Sequence, residues 1–339
     1  MKLLENSKLK IVKSEDYNYI FDKTNGVFVR WGKTKEDDPV MAPSPEILDC
    51  EITTICGMGC PYCYKSNTLT GKNMSLETFK KIVNNLNKNK LLTQVAFGLG
   101  ATAEENPELW DMCRWLRSEG IVPNGTVANI SEETASKIAS LFGACAVSIH
   151  HDKNICYNSV KKLTDKGMNQ VNMHHVIYDE NYEETLQVLE DIKNDPRLQK
   201  LNAIVLLSLK KKGRATKGEF NTLSQEKFNN IVNKAMELKI SFGFDSCSAH
   251  KFMEAIKGKE NEKELMTMVE PCESFGLFSS YVNVEGKYFP CSFAEELFDG
   301  IDITGDDFDF DKNVWHCDKV NALRKESLSK NRKCVYYEI

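Results

Sequence analysis

The sequence predicts an α/β fold in which parallel β-strands alternate with α-helices. Three observations support this prediction. Short apolar runs of strand length alternate with segments of helical periodicity from residue 47 to residue 246. Serines that can cap a helix stand directly before several of the helical segments. The chain of 339 residues, with 41% hydrophobic and 27% charged residues, is long and apolar enough to bury a sizeable core.

The first 46 residues are predicted to form an N-terminal extension. Residues 17–31 alternate apolar and polar side chains around Thr24-Asn25-Gly26, which is a turn signal and indicates a β-hairpin. A connector that contains three prolines follows and leads to the first strand of the main array.

About six strand–helix units fill residues 47–246. Such alternation is typical of a parallel sheet covered by helices. Ser75, Ser131 and Ser224 are the expected N-caps of three of the helices. The predicted strands are 47–54, 93–98, 121–128, 144–149, 170–177, 201–209 and 240–245, and the predicted helices are 75–89, 106–119, 131–142, 154–166, 182–194 and 224–238.

The pattern changes after residue 246 to a loop-rich segment that carries several cysteines. One hairpin is evident there, in YVNVEGKYFPC, with its turn at Glu285-Gly286. We therefore expect an N-terminal extension at 1–46, a core domain at 47–246 and a small C-terminal domain at 247–339.

Charge and hydropathy exclude several classes of protein. The net charge of -5 provides no electrostatic basis for binding nucleic acid or an anionic membrane. We find no apolar stretch that resembles a signal peptide, and none reaches the roughly 18 residues of a membrane span. A cytoplasmic protein is expected, and in a reducing compartment its twelve cysteines indicate metal ligands or catalytic groups rather than disulfides.

Three of those cysteines lie together in the segment CGMGCPYCYK, directly after the first predicted core strand. Cys56, Cys60 and Cys63 are spaced C-x-x-x-C-x-x-C and should lie at the carboxyl edge of the sheet, where sites of parallel α/β folds are built. A structural zinc site usually takes four ligands from two paired knuckles, and no second knuckle is close by. Three thiolates on a compact loop suit an iron–sulfur cubane with one iron left free, although a small zinc loop is the alternative.

With Tyr62 at the aromatic position, this loop resembles that of the radical S-adenosylmethionine (SAM) enzymes, whose motif is C-x-x-x-C-x-φ-C. The resemblance covers about residues 47–246 and implies a partial (β/α)6 barrel. It implies that Cys56, Cys60 and Cys63 hold a [4Fe-4S] cluster whose open iron binds SAM. In that family, reductive cleavage of SAM yields a 5′-deoxyadenosyl radical, which takes a hydrogen atom from the substrate. A flavodoxin- or ferredoxin-type electron donor is implied as well.

The resemblance also implies a SAM-binding turn after the second strand, commonly Gly-Gly-Glu. This chain has Gly98 and Gly100 in the stretch FGLGAT, and the glycines permit close approach of the backbone to a ligand. The glutamate of the family is absent at the matching place. Glu104 and Glu105 are candidates to replace it, and the alternative is that both are exposed loop carboxylates.

Further cofactor contacts are expected from the ends of the next strands. Asn129 and Ser148 are candidates for hydrogen bonds to the SAM ribose or carboxylate, with simple capping roles as the alternative. Tyr62 is expected near the adenine. Two pairs of neighbouring histidines lie at or directly after predicted strands, and one member of each pair should point into the barrel if these segments are strands. The inward members could bind substrate or carry protons, or be structural; the pairs are His150–His151 and His174–His175.

A second cysteine pattern lies in the last third of the chain. Cys272, Gly286 and Cys291 form C-x13-G-x4-C, which resembles the cysteine element of the SPASM and twitch extensions that hold auxiliary iron–sulfur clusters. The segment Gly213-Arg214-Ala215 resembles the linker that those proteins carry. Since the longer cysteine run of a full SPASM domain is missing, the resemblance implies one auxiliary cluster in a twitch-like domain.

The preferred ligands of this auxiliary cluster are Cys272, Cys291 and Cys334, with Cys247 or Cys317 as the fourth. The alternative is that these are free, buried cysteines. Cys247 has a further possible role as a hydrogen-atom donor to a substrate radical, as in some radical SAM epimerases. The other four cysteines, Cys50, Cys113, Cys145 and Cys156, are expected in the core.

Twitch and SPASM extensions accompany enzymes that modify peptides or proteins by crosslinking, thioether formation, oxidation or epimerisation. The resemblance therefore favours a peptide or protein substrate, and the edge of the N-terminal hairpin could accept a peptide strand. A small-molecule dehydrogenase or rearrangement enzyme is the main alternative. A non-catalytic iron–sulfur protein is a third possibility, because the glutamate after strand two is missing.

Overall fold

The computed structural model describes all 339 residues, Met1–Ile339. Its N-terminal part is a four-stranded antiparallel sheet in the order β1-β2-β3-β4. The predicted hairpin is formed by β3 and β4, and Gly26 in its turn has φ +78°. The first two strands were not predicted, since β1 is exposed along its whole length and has no alternating pattern. The strands are β1 (Lys2–Glu5), β2 (Leu9–Lys13), β3 (Asn18–Asp22) and β4 (Phe28–Trp31).

The second sheet has ten strands in the order β11-β10-β9-β8-β7-β6-β5-β12-β13-β14. Neighbouring strands from β5 to β11 are all parallel, as the strand–helix alternation predicts. The strands are β5 (Ile47–Glu51), β6 (Gln94–Gly98), β7 (Val122–Val127), β8 (Cys145–Ser148), β9 (Val171–Ile177), β10 (Ala203–Ser208), β11 (Phe242–Phe244), β12 (Ser279–Val282), β13 (Lys287–Phe289) and β14 (Ile301–Asp302).

Six helices follow the first six parallel strands, and the side chains of Ser75, Ser131 and Ser224 accept hydrogen bonds from the first turns of three of them. The fold class is thus confirmed as α/β, a partial (β/α)6 barrel, with β11 as a further parallel strand at its edge. These helices are α1 (Leu76–Leu86), α2 (Leu109–Ser118), α3 (Glu132–Leu141), α4 (Lys153–Asp165), α5 (Tyr182–Asn194) and α6 (Gln225–Glu237). Three helices of the C-terminal part were not predicted: α7 (Ala249–Ile256), α8 (Glu262–Met266) and α9 (Asp318–Ser329).

The C-terminal hairpin joins the barrel sheet directly. Strand β12 pairs in parallel with β5, with Ser280 opposite Leu48, and β13 returns antiparallel to β12. Gly286 in the turn has φ +78°, and a Cβ there would lie 2.2 Å from the Thr304 side chain, so only glycine fits. The C-terminal segment is therefore held beside the loop that follows β5.

The N-terminal sheet is attached to the barrel by a partly buried arginine. Arg30 forms ion pairs of 2.9 Å with both Glu46 and Glu273, and its guanidinium lies 3.6 Å from the centre of the Phe278 ring. Because Glu46 precedes β5 and Glu273 precedes β12, one side chain ties the extension to both segments. No helix of the chain combines the length and the apolar character needed to cross a membrane.

Candidate functional site

A cavity of about 550 Å³ lies inside the barrel, at the carboxyl ends of its strands. Its walls are the loop after β5, the ends of β6 to β10 and the segment that follows β13. Cys56, Cys60 and Cys63 all line this cavity. The three thiols that the sequence singles out thus share one wall of this cavity.

The three thiols of this loop are close neighbours. Burial, together with the nearby Cys63 and Cys56, raises the pKa of the Cys60 thiol to about 11. No three cysteine, histidine or acidic side chains in the chain already converge at metal-ligating distance. The fit to a cluster therefore rests on the donor set: three thiols on one short loop, facing one cavity, are the ligands that an iron–sulfur cubane requires.

Arg214 holds the backbone of this loop in place. Its Nε donates to the Cys60 carbonyl at 2.8 Å and its Nη1 to the Asn67 carbonyl at 2.8 Å. Its backbone N–H donates to the Cys63 carbonyl at 2.9 Å. The preceding Gly213 has φ +60°, and a Cβ there would lie 2.4 Å from the Tyr64 carbonyl oxygen. The Gly-Arg-Ala segment is therefore a clamp on the three-cysteine loop.

Tyr62 lines the cavity and packs on His150, with ring centroids 6.3 Å apart. The Nδ1 of His150 lies 3.3 Å from the Cys60 sulfur and 3.4 Å from the Tyr62 hydroxyl. Burial, together with the neighbouring His151, lowers the pKa of His150 to about 4. The predicted aromatic position thus lies against the end of β8, where Tyr62 also contacts the rings of Tyr178 and Phe220.

Gly98, the last residue of β6, and Gly100 in the turn that follows it both line the cavity. A Cβ on Gly98 would lie 2.9 Å from the Cα of Glu51, and a Cβ on Gly100 would lie 2.5 Å from the Ile55 carbonyl oxygen. Their first role is therefore to let the β6 turn pass close to β5 and to the loop after it.

The two glutamates that follow those glycines do not line the cavity. The carboxylate of Glu105 accepts hydrogen bonds from the backbone N–H groups of Thr102 and Glu104, at 3.0 and 3.1 Å. Glu104 accepts a hydrogen bond from the Thr134 hydroxyl. Both carboxylates therefore serve local structure, and neither is positioned to replace the missing family glutamate.

The two polar residues predicted at strand ends are placed differently. Ser148, the last residue of β8, lines the cavity. Asn129 is exposed and does not line it, and its backbone N–H donates to the Ala101 carbonyl at 3.1 Å. The neighbouring residues Thr126 to Ala128 line the cavity in its place.

One member of each histidine pair faces the cavity: His174 and His175 alternate along strand β9, whereas His150 and His151 follow the end of β8. His150 and His174 line the cavity, whereas His151 is exposed and His175 is buried on the helical side. The Nε2 of His175 lies 3.0 Å from the Thr185 hydroxyl of α5, which is a structural contact. Burial lowers the pKa of His174 to about 4, although nearby Asp245 acts in the opposite direction.

Four of the five C-terminal cysteines form a second group of thiols. Cys247 and Cys334 lie beside each other, and their interaction raises the pKa of Cys247 and lowers that of Cys334 to about 6. Cys272 lies near both Cys247 and Cys334 and raises the pKa of Cys247, and Cys291 lies near Cys272 and Cys334, which raise its pKa. Cys317, by contrast, immediately precedes α9 and lies near Tyr288 and Arg324. We refer to Cys247, Cys272, Cys291 and Cys334 as the four-thiol group.

The cavity does not include Cys247 among its lining residues. Its placement beside Cys334 makes it a member of the four-thiol group rather than a side chain facing the barrel interior. The cysteines predicted for the core, Cys50, Cys113, Cys145 and Cys156, are at most 1% exposed.

Several charged residues of the cavity escaped sequence reasoning. Asp49 and Glu51 alternate along β5 and both line the cavity, while Lys65 follows the three-cysteine loop. Glu51 pairs with Lys65 at 3.1 Å, and Lys65 also contacts Glu295 and donates to the Tyr281 hydroxyl at 2.8 Å. The only signal in the sequence was two acidic residues, two positions apart, inside a predicted apolar strand.

A second buried ion pair lies between the cavity and the four-thiol group. Lys210 pairs with Asp245, and its ammonium lies 4.9 Å from the centre of the Phe293 ring. Burial opposes the charge of Lys210, but Asp245, Cys247 and Cys334 together raise its pKa. Both lysines of the cavity are thus paired, whereas Asp49, which faces the cavity, has no such partner: desolvation by the surrounding protein alone raises its pKa, to about 6.

Neither family models nor curated proteins match this sequence. Several solved structures do match this chain. SuiB from Streptococcus suis matches with a TM-score of 0.70 at 13% identity, over 96% of this chain and 90% of that chain. Two further SuiB structures, one bound to S-adenosylmethionine and one bound to the precursor peptide SuiA, match with a TM-score of 0.69 at 12% identity, over 95% of this chain.

At this level of identity the similarity concerns the fold, and it extends from the N-terminal sheet to the C-terminal segment. The parallel sheet, its six strand–helix units and the three-cysteine loop after the first of its strands agree with the architecture expected from the sequence. The chain shares the fold of SuiB over nearly its whole length.

Proposed function

We propose that this protein is a radical SAM enzyme that modifies a peptide or protein. The observation that carries the proposal is the C-x-x-x-C-x-φ-C loop, whose three thiols line the cavity at the carboxyl ends of the barrel strands. Cys56, Cys60 and Cys63 would hold a [4Fe-4S] cluster. When bound, the cluster and SAM supply a 5′-deoxyadenosyl radical that can take a hydrogen atom from a substrate.

The residues of this chain around that loop have separate tasks. Arg214 keeps the loop backbone in position through three hydrogen bonds. The backbone around Gly98 and Gly100, together with the Ser148 hydroxyl, provides polar groups on the cavity wall for SAM. The rings of Tyr64 and Phe293 pack at a tilt with centroids 4.4 Å apart and close the wall on the side of the C-terminal segment, which limits access of water.

A peptide substrate is supported by the fold. SuiB, which shares the fold along 95% of this chain, has been crystallised with its precursor peptide. Edge strand β1 of the N-terminal sheet is exposed and could accept an added peptide strand. A small-molecule substrate is the second candidate, because a cavity of about 550 Å³ has the size typical of small-ligand sites.

We further propose that residues 247–339 form a twitch-like domain whose four-thiol group binds one auxiliary iron–sulfur cluster. The support is the proximity of four cysteines that are far apart in the sequence, and four thiolates are the usual ligand set of such clusters. A cytoplasmic location and a flavodoxin- or ferredoxin-type electron donor complete the proposal.

The enzymatic part is tested by anaerobic reconstitution of the full chain with iron and sulfide, followed by SAM and a strong reductant. Formation of 5′-deoxyadenosine is the expected result. Its absence at full cluster occupancy would instead support a non-catalytic iron–sulfur protein. The substrate class is tested by adding short peptides encoded beside the gene and measuring a change in peptide mass, whereas a mass change only in a small metabolite would overturn the peptide assignment.

Replacing Arg214 by alanine is expected to lower iron retention and to slow SAM cleavage at least tenfold, because each of the two lost side-chain hydrogen bonds is worth about 1.5–3 kcal/mol and about 1.4 kcal/mol corresponds to a factor of ten. Iron per chain after desalting and the rate of 5′-deoxyadenosine formation measure the effect. Arg214→Lys is the control, because it keeps the positive charge but loses the forked donors of the guanidinium group. Its iron content and its rate of SAM cleavage should lie between those of the wild type and those of Arg214→Ala. Wild-type values for Arg214→Ala would show that the clamp is dispensable.

Replacing Asp49 by asparagine is expected to stabilise the protein at neutral pH while weakening substrate-dependent turnover. The folded-state pKa of about 6 lies above the usual value of 3.8, so ionisation of Asp49 costs stability as the pH rises through this window. The carboxylate is exposed to the cavity although protein surrounds it, so screening by water limits the gain to about 1 kcal/mol at pH 7.5.

The measurement for Asp49→Asn is urea unfolding at pH 7.5 and at pH 5. The stability gap between the variant and the wild type should shrink at the lower pH, because the wild-type carboxyl group becomes protonated there. A gap of equal size at both pH values would contradict the assigned pKa. Glu51→Gln is a poor substitute for this test, since it also breaks the pair with Lys65.

A further inference from the structure

One of the three loop thiols differs from the other two in its surroundings. The sulfur of Cys60 lies 3.3 Å from the Nδ1 of His150, whereas Cys56 and Cys63 have no side-chain hydrogen-bond partner. His150 stands two residues after the end of β8 and lines the same cavity. It is therefore the one side chain placed to donate a hydrogen bond to a sulfur of the loop.

The chemistry of the two groups determines the direction of this hydrogen bond. A cysteine that ligates iron is a thiolate and has no proton to give, so its sulfur can only accept. The Nδ1 of His150 must then carry the proton. The Tyr62 hydroxyl, 3.4 Å from the same nitrogen, donates to the Ile149 carbonyl at 3.3 Å, and its oxygen is a second acceptor for the same N–H.

The surrounding residues hold the imidazole in this orientation. Its ring is stacked on Tyr62 at an interplanar angle of 28°. Tyr62 is in turn packed by Tyr178 and Phe220, with ring centroids 5.9 and 6.2 Å away. The Ile149 backbone N–H donates to the His174 carbonyl at 2.9 Å, which anchors the residue before His150 to β9. The contact between His150 and Cys60 is thus part of the packed wall of the cavity.

We propose that His150 is a positioning residue that donates an Nδ1–H hydrogen bond to the Cys60 thiolate and thereby raises the reduction potential of the cluster held by the loop. The inference rests on the proposed function of Cys56, Cys60 and Cys63. Donors to the sulfur of a ligand stabilise the added electron, because they disperse the negative charge of the reduced cluster. As a result, a physiological electron donor can reduce the cluster more easily.

The test is a redox titration of the reconstituted full chain, monitored by electron paramagnetic resonance. His150→Phe keeps the ring shape and removes the donor, so the equilibrium constant for reduction should fall about tenfold, which is about 59 mV for one electron. His150→Asn places an amide N–H near the Nδ1 position and should restore the wild-type potential. His151→Phe, at the exposed neighbour, is the matched control and should leave the potential unchanged.

The signal of this cluster is identified by its change on addition of SAM. An unchanged potential in His150→Phe would overturn the inference, whereas a wild-type protein that forms no such cluster would overturn the proposed function itself. If His150→Phe does not retain iron, wild-type protein labelled with ¹⁵N-histidine decides the question. A ¹⁵N coupling to the reduced cluster that is absent from His150→Asn supports the bond, and no coupling in the wild type contradicts it.

Discussion

Replacing Cys56, Cys60 and Cys63 together by alanine is expected to abolish 5′-deoxyadenosine formation and to remove about half of the bound iron. The three thiols are the ligands that this loop presents to the cavity, and the other cysteine of the cavity lining, Cys50, belongs to strand β5 rather than to the loop. Iron and sulfide analysis, with a radical-SAM activity assay under anaerobic conditions, measures both effects. The remaining iron should be that of the four-thiol group.

The amount of remaining iron separates two conclusions. Retention of about half with no SAM cleavage supports two independent clusters. Complete loss of iron would contradict the auxiliary site, because the four-thiol group is intact in this variant. Undiminished SAM cleavage would contradict the assignment of the loop thiols.

Replacing Cys272 and Cys291 by serine is expected to have the complementary effect. The auxiliary cluster should be lost, because two of its four proposed ligands are gone, and substrate modification should fall below detection. SAM cleavage without substrate should persist, since the three-cysteine loop keeps its own ligands and its contacts with Arg214. Mössbauer or electron paramagnetic resonance spectra of the reconstituted variant check the number of clusters.

Cys317→Ser is the matched control for this experiment. The sequence left Cys247 and Cys317 as equal candidates for the fourth ligand, and the structure places Cys247 beside Cys334 and Cys317 beside Tyr288. Cys317→Ser should therefore retain both clusters, and loss of the auxiliary cluster in this variant would contradict the four-thiol group. A Cys247→Ala variant that keeps both clusters but stops turnover would favour the hydrogen-donor role.

Much of the barrel could be predicted because its elements have strong local signals. The helix predicted at 182–194 and α5 coincide, and other core elements differ by a few residues at their ends. The C-terminal helices could not be predicted in the same way. Segments such as α8, with five residues, are too short to establish a periodic pattern, and their formation depends on packing against the barrel.

Within the candidate site, the sequence could identify residues that are close along the chain, but it could not identify contacts between distant segments. The spacing of Cys56, Cys60 and Cys63 within one loop is local, so the sequence alone could identify it. The role of Arg214 as a clamp is different, because the residues that it contacts lie about 150 positions earlier. Likewise, only the completed fold shows that Asp49 faces the cavity without an ion-pair partner. It also shows that Glu104 and Glu105 do not line the cavity.

The sequence by itself determined the α/β class, the order of the strand–helix units and the loop that presents three thiols, because periodicity and short-range spacing are properties of neighbouring residues. The tertiary structure alone decided which distant groups meet: Cys247 with Cys334 rather than Cys317, His150 with Cys60, and β12 with β5. The physical reason is that these contacts form when the sheet curves and the C-terminal segment packs along its edge, and burial of the whole core, not any local preference, drives that packing.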